Sequence, residues 1–364
     1  MKVATLGSEC SGYRMIKTVT IKNFRSFASA KISNMRRINV VVGNNASGKT
    51  ALLEAIFLAA GASPEMAFKL RTWRNQEVFN ISNEQNSYDA LWTDFFHMFD
   101  QRSKIDISLI DSHGDQRKLE IKFQDVGADL FLPLTGSSQF SQPQPVVPIE
   151  FKWKVHGKEY VSVPEIDNHG LKLRATQLAP IAALFYSTAT QNLNQQYAQF
   201  FSALSAKKLE KDVIELIRKE FKFIENIEVL IKDGIPTLHA TVQLLPEKVP
   251  LYLLSDGVNK LINILLGIAM FPKGIIIIDE IENGLYFERM PSVWRSIHAF
   301  ARKYDVQIIA STHSAECLRA LRDALSSTPD DALLIRTMIE NGVTSTEQFL
   351  GSSFFKALEM GEVR

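Results

Sequence analysis

Cysteine is nearly missing from this chain: Cys10 and Cys317 are the only two in 364 residues. Two isolated thiols cannot build a disulfide framework, and no CxxC or Cys/His cluster offers a zinc site. The composition fits a reducing, cytoplasmic setting. Long apolar runs are missing too. The best, residues 261–270, is soon followed by Pro272 and Lys273, well short of the roughly 18 residues a membrane helix needs. Charge of one sign is also lacking. Lys and Arg total 41 against 40 Asp and Glu, a formal net charge of +1, so no global basic field advertises nucleic acid and only a local patch could do so. There is no internal repeat, no heptad run long enough for a coiled-coil arm, and no apolar signal core at the N-terminus. What is present, 46% hydrophobic and 22% charged residues, is the balance of a globular protein.

Residues 1–14 are polar and patternless and read as a flexible leader. MIKTVTIKNFRSF (residues 15–27) alternates like an edge strand, and INVVVG (38–43) reads as a buried strand ending in glycine. A helix follows from Lys49 to about Ala60, ended by Gly61 and Pro64. Residues 61–250 change character. KIDISLID, KLEIKF and IEFKWKV are short alternating strands, and residues 135–148 have the Ser/Gln/Pro composition of a surface loop. Two helices are expected within 191–221, then a hairpin over 224–246 turning at Asp233 and Gly234. From 251 the chain returns to α/β alternation, with helices near 256–270, 290–304 and from 315, and strands GIIIIDE (274–280) and VQIIAST (306–312). The expected organisation is an α/β head from 15–60 and 251–364, sharing one mixed or parallel sheet, with 61–250 inserted as an α+β segment.

Four motifs carry chemistry. GNNASGKT, comprising Gly43, Asn44, Asn45, Ala46, Ser47, Gly48, Lys49 and Thr50, matches G-x-x-x-x-G-K-[ST] between a strand and a helix. Its glycines let backbone N–H groups turn around phosphate oxygens, and the helix N-terminus adds positive dipole. Lys49 supplies a point charge to the β/γ-phosphates, and Thr50 can ligate Mg²⁺. IIIIDE puts Asp279 and Glu280 at the carboxyl end of a buried strand, where α/β sheets place ligands. Asp279 suits Mg²⁺ through water, and Glu280 suits orienting or deprotonating an attacking water. LSDG places Ser255, Asp256 and Gly257 at a helix start, a further anion-seeking terminus or an ordinary N-cap. His313 follows VQIIAST and could reach a γ-phosphate or its water, or simply cap the strand.

In this order the motifs resemble ABC-type ATPases, specifically the RecF/SMC/OLD-like branch of the AAA-family ATPases. IKNFRSF before INVVVGNNASGKTALLEAIFLA, LSDGVNKLINILLGIA, IIIIDEIENGLYFERM and QIIASTHSAECLRAL carry the resemblance, over residues 15–60 and 224–325. It implies a P-loop NTPase fold with an ABC-type head that sandwiches ATP between two copies. Asp279 is then the Walker B aspartate, Glu280 the catalytic base and His313 the switch histidine. Ser255 and Gly257 address the partner's γ-phosphate, with Asp256 standing where glycine is frequent. Glu282, Asn283 and Gly284 form the D-loop, Tyr286 replaces a histidine, and Arg25 approaches the nucleotide. The Q-loop glutamine has no firm position; Gln76 and Gln85 lie in the right region.

The resemblance implies an ATP-hydrolysing switch working with a separate effector, such as a nuclease or toxin, in prokaryotic defence against phage. A DNA repair ATPase resembling RecF is the second reading, with Arg36, Arg37, Arg71, Arg74, Lys207, Lys208 and Lys211 as candidate contacts. A non-hydrolysing ATP-bound scaffold is the third. About 50 residues follow His313 without a metal-binding carboxylate cluster, so no TOPRIM-type nuclease is expected, and no NKxD element favours GTP over ATP.

Overall fold

The computed structural model describes residues 15–73, 91–124, 147–167, 170–187, 194–232, 234–340 and 342–361. The expected leader with Cys10, the residues Arg74, Gln76 and Gln85, Asp233 of the hairpin turn, and nearly all of the loop expected over 135–148 lie outside these.

In chain order the first strands are β1 (Ile16–Phe24), β2 (Phe27–Ile32), β3 (Ile38–Gly43), β4 (Ile105–Asp111), β5 (Gln116–Phe123), β6 (Ile149–Val155), β7 (Lys158–Ser162), β8 (Glu165–Asp167) and β9 (Gly170–Lys172). Then come β10 (Ala183–Tyr186), β11 (Ile224–Lys232), β12 (Ile235–Val242), β13 (Val249–Pro250), β14 (Ile275–Ile278), β15 (Gln307–Ser311), β16 (Ala332–Glu340) and β17 (Val343–Leu350). The helices are α1 (Lys49–Ala60), α2 (Glu65–Trp73), α3 (Asn194–Ala206), α4 (Glu210–Glu220), α5 (Asp256–Met270), α6 (Met290–Lys303), α7 (Ala315–Ala324) and α8 (Gly351–Glu359).

Two sheets organise the head. One has order β2-β1-β4-β5-β6-β7 and is antiparallel throughout. The other has order β10-β14-β15-β3-β16-β17 and is parallel except for β17. The four isoleucines of β14 show how the parallel sheet is held. Ile276 and Ile278 pack with α3 to α8 in one core, while Ile275 and Ile277 pack with α1 and the antiparallel sheet in the other. A strand covered on both faces has no polar side to show, which is why it reads as an unbroken apolar run.

Helix α1 lies between the sheets, and every residue of it except Thr50 is buried. A helix apolar all round can only be stable when surrounded in this way. Because both sheets grip α1, the N-terminal end of that helix is set by two layers of packing.

One expectation changes. Residues 15–27 are not one edge strand. The chain reverses at Arg25 and Ser26, Phe24 pairs with Phe27, and β1 lies between β2 and β4. Alternation reports that one face is buried, and an interior strand of a sheet with one solvated face alternates in the same way. The segment expected as an insertion, 61–250, shares the sheets of the head. Strands β4–β7 extend the antiparallel sheet, β10 edges the parallel sheet, and α3, α4 and β11–β12 pack into the core around α5. Such pairings join residues far apart in the chain and leave no local pattern.

Candidate active site

The lysine loop is shaped by two glycines that no other residue could replace without strain. Gly43 has φ +146 and Gly48 has φ +98, a region that disfavours side chains. A Cβ on Gly43 would also lie 2.2 Å from the Thr337 carbonyl oxygen, and one on Gly48 would lie 2.6 Å from Ser26 Oγ. Ala46 also takes a left-handed φ of 62. From below, Thr337 on β16 donates to the Val42 carbonyl at 3.0 Å and shares a 2.6 Å hydroxyl contact with Ser47. Helix α1 then begins at Lys49 with Gly48 as its N-cap and no side-chain cap bond, which leaves its first N–H groups for an anion. Lys49 Nζ donates to the carbonyls of Gly43 and Asn44 at 2.8 and 2.9 Å. Burial lowers its pKa, and the carboxylates of Asp279, Glu280 and Glu282 work against that shift.

One strand separates β3 from β14, and the end of β14 faces the start of α1. Thr50 donates to Asp279 Oδ2 at 3.1 Å, and Ser311 donates to Asp279 Oδ1 at 2.5 Å. Ser311 also accepts from the Glu280 N–H at 2.8 Å. Glu280 sits at φ 50, a left-handed conformation unusual for its type. Asn283 Nδ2 donates to Glu280 Oε2 at 2.5 Å, and His313 Nε2 stands 3.6 Å from Glu280 Oε1. The His313 backbone N–H donates to Glu282 at 2.6 Å. A half-buried lysine, Lys260 on α5, reaches the same turn and donates to the Glu280 and Asn283 carbonyls at 2.7 and 3.0 Å. Burial pushes its pKa down to about 8 against the pull of Glu282, Cys317, Glu280 and Asp279. Cys317 is buried and its thiol is pushed up to about 12, which makes it inert at neutral pH.

These groups border a cleft of about 420 Å³ lined by Arg25, Ser26, Asn45, Ala46, Gly48, Lys49, Thr50, Ala51, Glu280 and His313. That volume falls within the range of about 300–1,000 Å³ usual for small-molecule sites. Arg25 borders it, but its guanidinium is engaged elsewhere. Nε pairs with Glu54 at 2.6 Å, NH1 with Asp94 at 3.5 Å, and the group lies 4.8 Å from the Phe95 ring centre.

Ser255, Asp256 and Gly257 do not line this cleft. Ser255 caps α5, accepting weakly from the Val258 N–H at 3.5 Å, and both Ser255 and Asp256 are exposed. A Cβ on Gly257 would lie 2.7 Å from the Gly284 carbonyl, so the start of α5 packs tightly on the turn after Glu280. Exposed apolar side chains adjoin both in the chain: Tyr252 and Leu253 before Ser255, and Tyr286 and Phe287 after Gly284.

Ser311, Thr337 and Lys260 were not singled out from sequence. Ser311 could have been, since it ends the apolar strand before His313. Thr337 had no such signal, because its role comes from lying beside β3. Among the basic candidates, Arg37 and Arg71 are occupied within the fold. Arg37 donates to the Ala301 and Val306 carbonyls and pairs with Asp305, while Arg71 is buried against Asp94. Lys207, Lys208 and Lys211 are exposed.

A parallel sheet that presents a lysine loop on one strand and paired carboxylates on the next strand but one has the architecture of P-loop nucleotide hydrolases. The antiparallel sheet packed across α1 makes this the ABC-type head of that class. The chain belongs to the family described as "AAA domain, putative AbiEii toxin, Type IV TA system", whose profile matches residues 38–319. An "ATP/GTP phosphatase" of Helicobacter pylori is 24% identical over 334 residues, covering 84% of this chain and 87% of that protein. The "DNA replication and repair protein RecF" of Idiomarina loihiensis is 46% identical over 43 residues, 12% of each chain. Among solved structures, an SMC head bound to the C-winged helix domain of ScpA matches with a TM-score of 0.53 at 13% identity, over 94% of this chain and 99% of that one. At that identity the likeness bears on the fold. Among the described residues no helix is long and apolar enough to cross a membrane.

Proposed function

We propose that this protein hydrolyses ATP between two copies of its head, and that closing and opening of the pair controls a separate effector, a nuclease or toxin, in prokaryotic defence against phage. The observation that carries the two-headed reading is the exposure of Ser255 outside the cleft that holds Lys49. A helix N-terminus turned to solvent, with exposed Tyr252 and Leu253 just before it in the chain and exposed Tyr286 and Phe287 after the Gly284 turn it packs on, suits a phosphate presented by another head. The effector and defence role rests on the resemblance to stand-alone ATPases of the RecF/SMC/OLD-like branch.

In this reading the backbone from Gly43 to Thr50 and the Lys49 ammonium hold the β- and γ-phosphates. Thr50 and Asp279 face each other as a pair of hard oxygen donors, which fits Mg²⁺ with water and phosphate oxygens completing its shell. A Mg²⁺ ion held by Thr50 and Asp279 would supply charge neutralisation for the phosphates. Glu280, oriented by Asn283, takes the proton of the attacking water, and His313 stands beside it to contact the γ-phosphate. A cytoplasmic setting follows from the use of ATP.

The test is light scattering of the Glu280→Gln protein with magnesium and ATP, together with co-purification of the products of neighbouring genes. A nucleotide-dependent dimer and a co-purifying nuclease or toxin are expected. A protein that stays monomeric under all nucleotides removes the two-headed reading. GTP belongs in the same assay, because the Helicobacter pylori relative carries both nucleotides in its name. The RecF match and the exposed Lys207, Lys208 and Lys211 support DNA binding as a second reading. It predicts ATP-dependent binding that weakens with salt, and a flat DNA titration at low salt removes it. The third reading, an ATP-bound scaffold, predicts that Glu280→Gln changes nothing.

A further inference from the structure

Lys260 stands one turn into α5, the helix that Ser255 caps. Its ammonium is half-buried and turned toward the backbone. It spans the turn from Glu280 to Asn283, donating to the carbonyl at each end, at 2.7 and 3.0 Å. The same turn is closed by the Asn283 N–H donating to the Glu280 carbonyl at 3.1 Å, and by the Asn283 side chain donating to the Glu280 carboxylate. The ionisable groups around the ammonium are Glu280 and Glu282 in the turn, Asp279 at the end of β14 and Cys317 on α7. Burying an ammonium against neutral carbonyls is costly, and an aliphatic side chain would fill the space without that cost. What the ammonium adds is a fixed position for the two carbonyls. The turn they bracket starts from a left-handed Glu280, a conformation that must be held from outside.

We propose that Lys260 is a positioning residue for hydrolysis: from the helix that begins at Ser255, it clamps the Glu280–Asn283 turn so that the Glu280 carboxylate faces the cleft. The inference rests on Glu280 being the group that activates water. In a two-headed assembly it has a consequence. Ser255 of one chain touches the partner's nucleotide, and Lys260 ties the same helix to its own Glu280, so engagement of one site adjusts the base of the other. Gly257, packed against Gly284, gives the contact a second point of attachment.

Lys260→Met, Lys260→Arg, Glu280→Gln and the Lys260→Met/Glu280→Gln double variant test this in steady-state phosphate release, with melting temperature and binding of a non-hydrolysable ATP analogue measured on each. Misplacement of a catalytic group by an ångström costs on the order of 100-fold. Lys260→Met should therefore lower kcat by about 10- to 100-fold with KM changed less than about threefold. Lys260→Arg should recover much of the loss, since a guanidinium can also donate to two carbonyls. In the Glu280→Gln background, Lys260→Met should cost nothing further, because a residue acting through Glu280 has nothing left to position. If Lys260→Met keeps the wild-type kcat, or if its loss multiplies with that of Glu280→Gln, the proposal is overturned. If Lys260→Met also weakens analogue binding in step with kcat, and arginine does not rescue, the lysine is structural and the proposal falls as well. Failure of the underlying reading looks different: Glu280→Gln alone then turns over at the wild-type rate, whatever Lys260 does.

Discussion

Two helix starts in this chain are the proposed anion sites, and they are finished differently. The start of α1 is enclosed. Its loop is fixed by Gly43 and Gly48, propped by Thr337, and lined with Lys49 and Thr50 inside a cleft. The start of α5 is open. Ser255 caps it at 3.5 Å, Asp256 beside it is exposed, and exposed Tyr252 and Leu253 precede it in the chain. An enclosed start can bind phosphate with one chain, whereas an open one needs a ligand brought to it. The difference motivates the two-headed reading, and each prediction below either widens or erases it.

The largest effect is expected at the centre of the enclosed site. Glu280→Gln should lower kcat by about 10²- to 10⁴-fold, the usual contribution of general base catalysis, while ATP binding persists and the nucleotide-bound dimer lives longer. Phosphate release and size-exclusion lifetimes measure both. Next come the two helix starts. Lys49→Ala should weaken ATP binding by about 10- to 100-fold, through loss of a charge-assisted phosphate contact. Ser255→Arg should leave binding by a single head nearly intact and stop turnover. Mixing the two inactive proteins is the sharper test: a two-headed site predicts that some activity returns, because each partner supplies what the other lacks. No recovery, with heterodimers demonstrated, would erase the contrast between the helices.

A smaller effect is expected under the enclosed loop. Thr337→Val strands the buried Ser47 hydroxyl and the Val42 carbonyl, so denaturant melts should show a loss of about 1–3 kcal/mol. ATP affinity should fall with it, and the α5 start should be unaffected. The smallest effect is expected on the antiparallel sheet, at Glu120 of β5. Burial alone would raise the Glu120 pKa, but the ammonium groups of Lys118 and Lys104 outweigh it and hold the carboxyl at about 2. A depressed carboxylate stabilises the fold above its ordinary range, and this is lost as pH falls through about 2. Glu120→Gln should therefore melt earlier than wild type near neutral pH, with the two curves converging in acid. A difference that persists at about pH 2 would mean that packing, not charge, explains Glu120.

The parts legible in sequence are those whose physics is local. The bounds of α1 and α5 follow from Gly48 and Gly61 at the ends of one and Ser255 at the start of the other, and β14 announces its double burial through four isoleucines. The reading failed where one signal has two causes. Alternation over residues 15–27 suggested an edge, yet β1 is interior with a turn at Arg25. Arg25, expected at the nucleotide, does border the cleft, while its guanidinium pairs with Glu54 and Asp94.

By itself the sequence determined the phosphate loop, the two carboxylates and the class of the head, because those depend on residue types at fixed spacing. Tertiary structure alone decided that residues 61–250 extend both sheets, that Thr337 props the loop, and that Lys260 reaches the Glu280 turn. The reason is that strand pairing and side-chain reach join residues outside any local pattern, 20 positions apart at Lys260 and 290 apart at Thr337, and their energies depend on where the chain has already been placed.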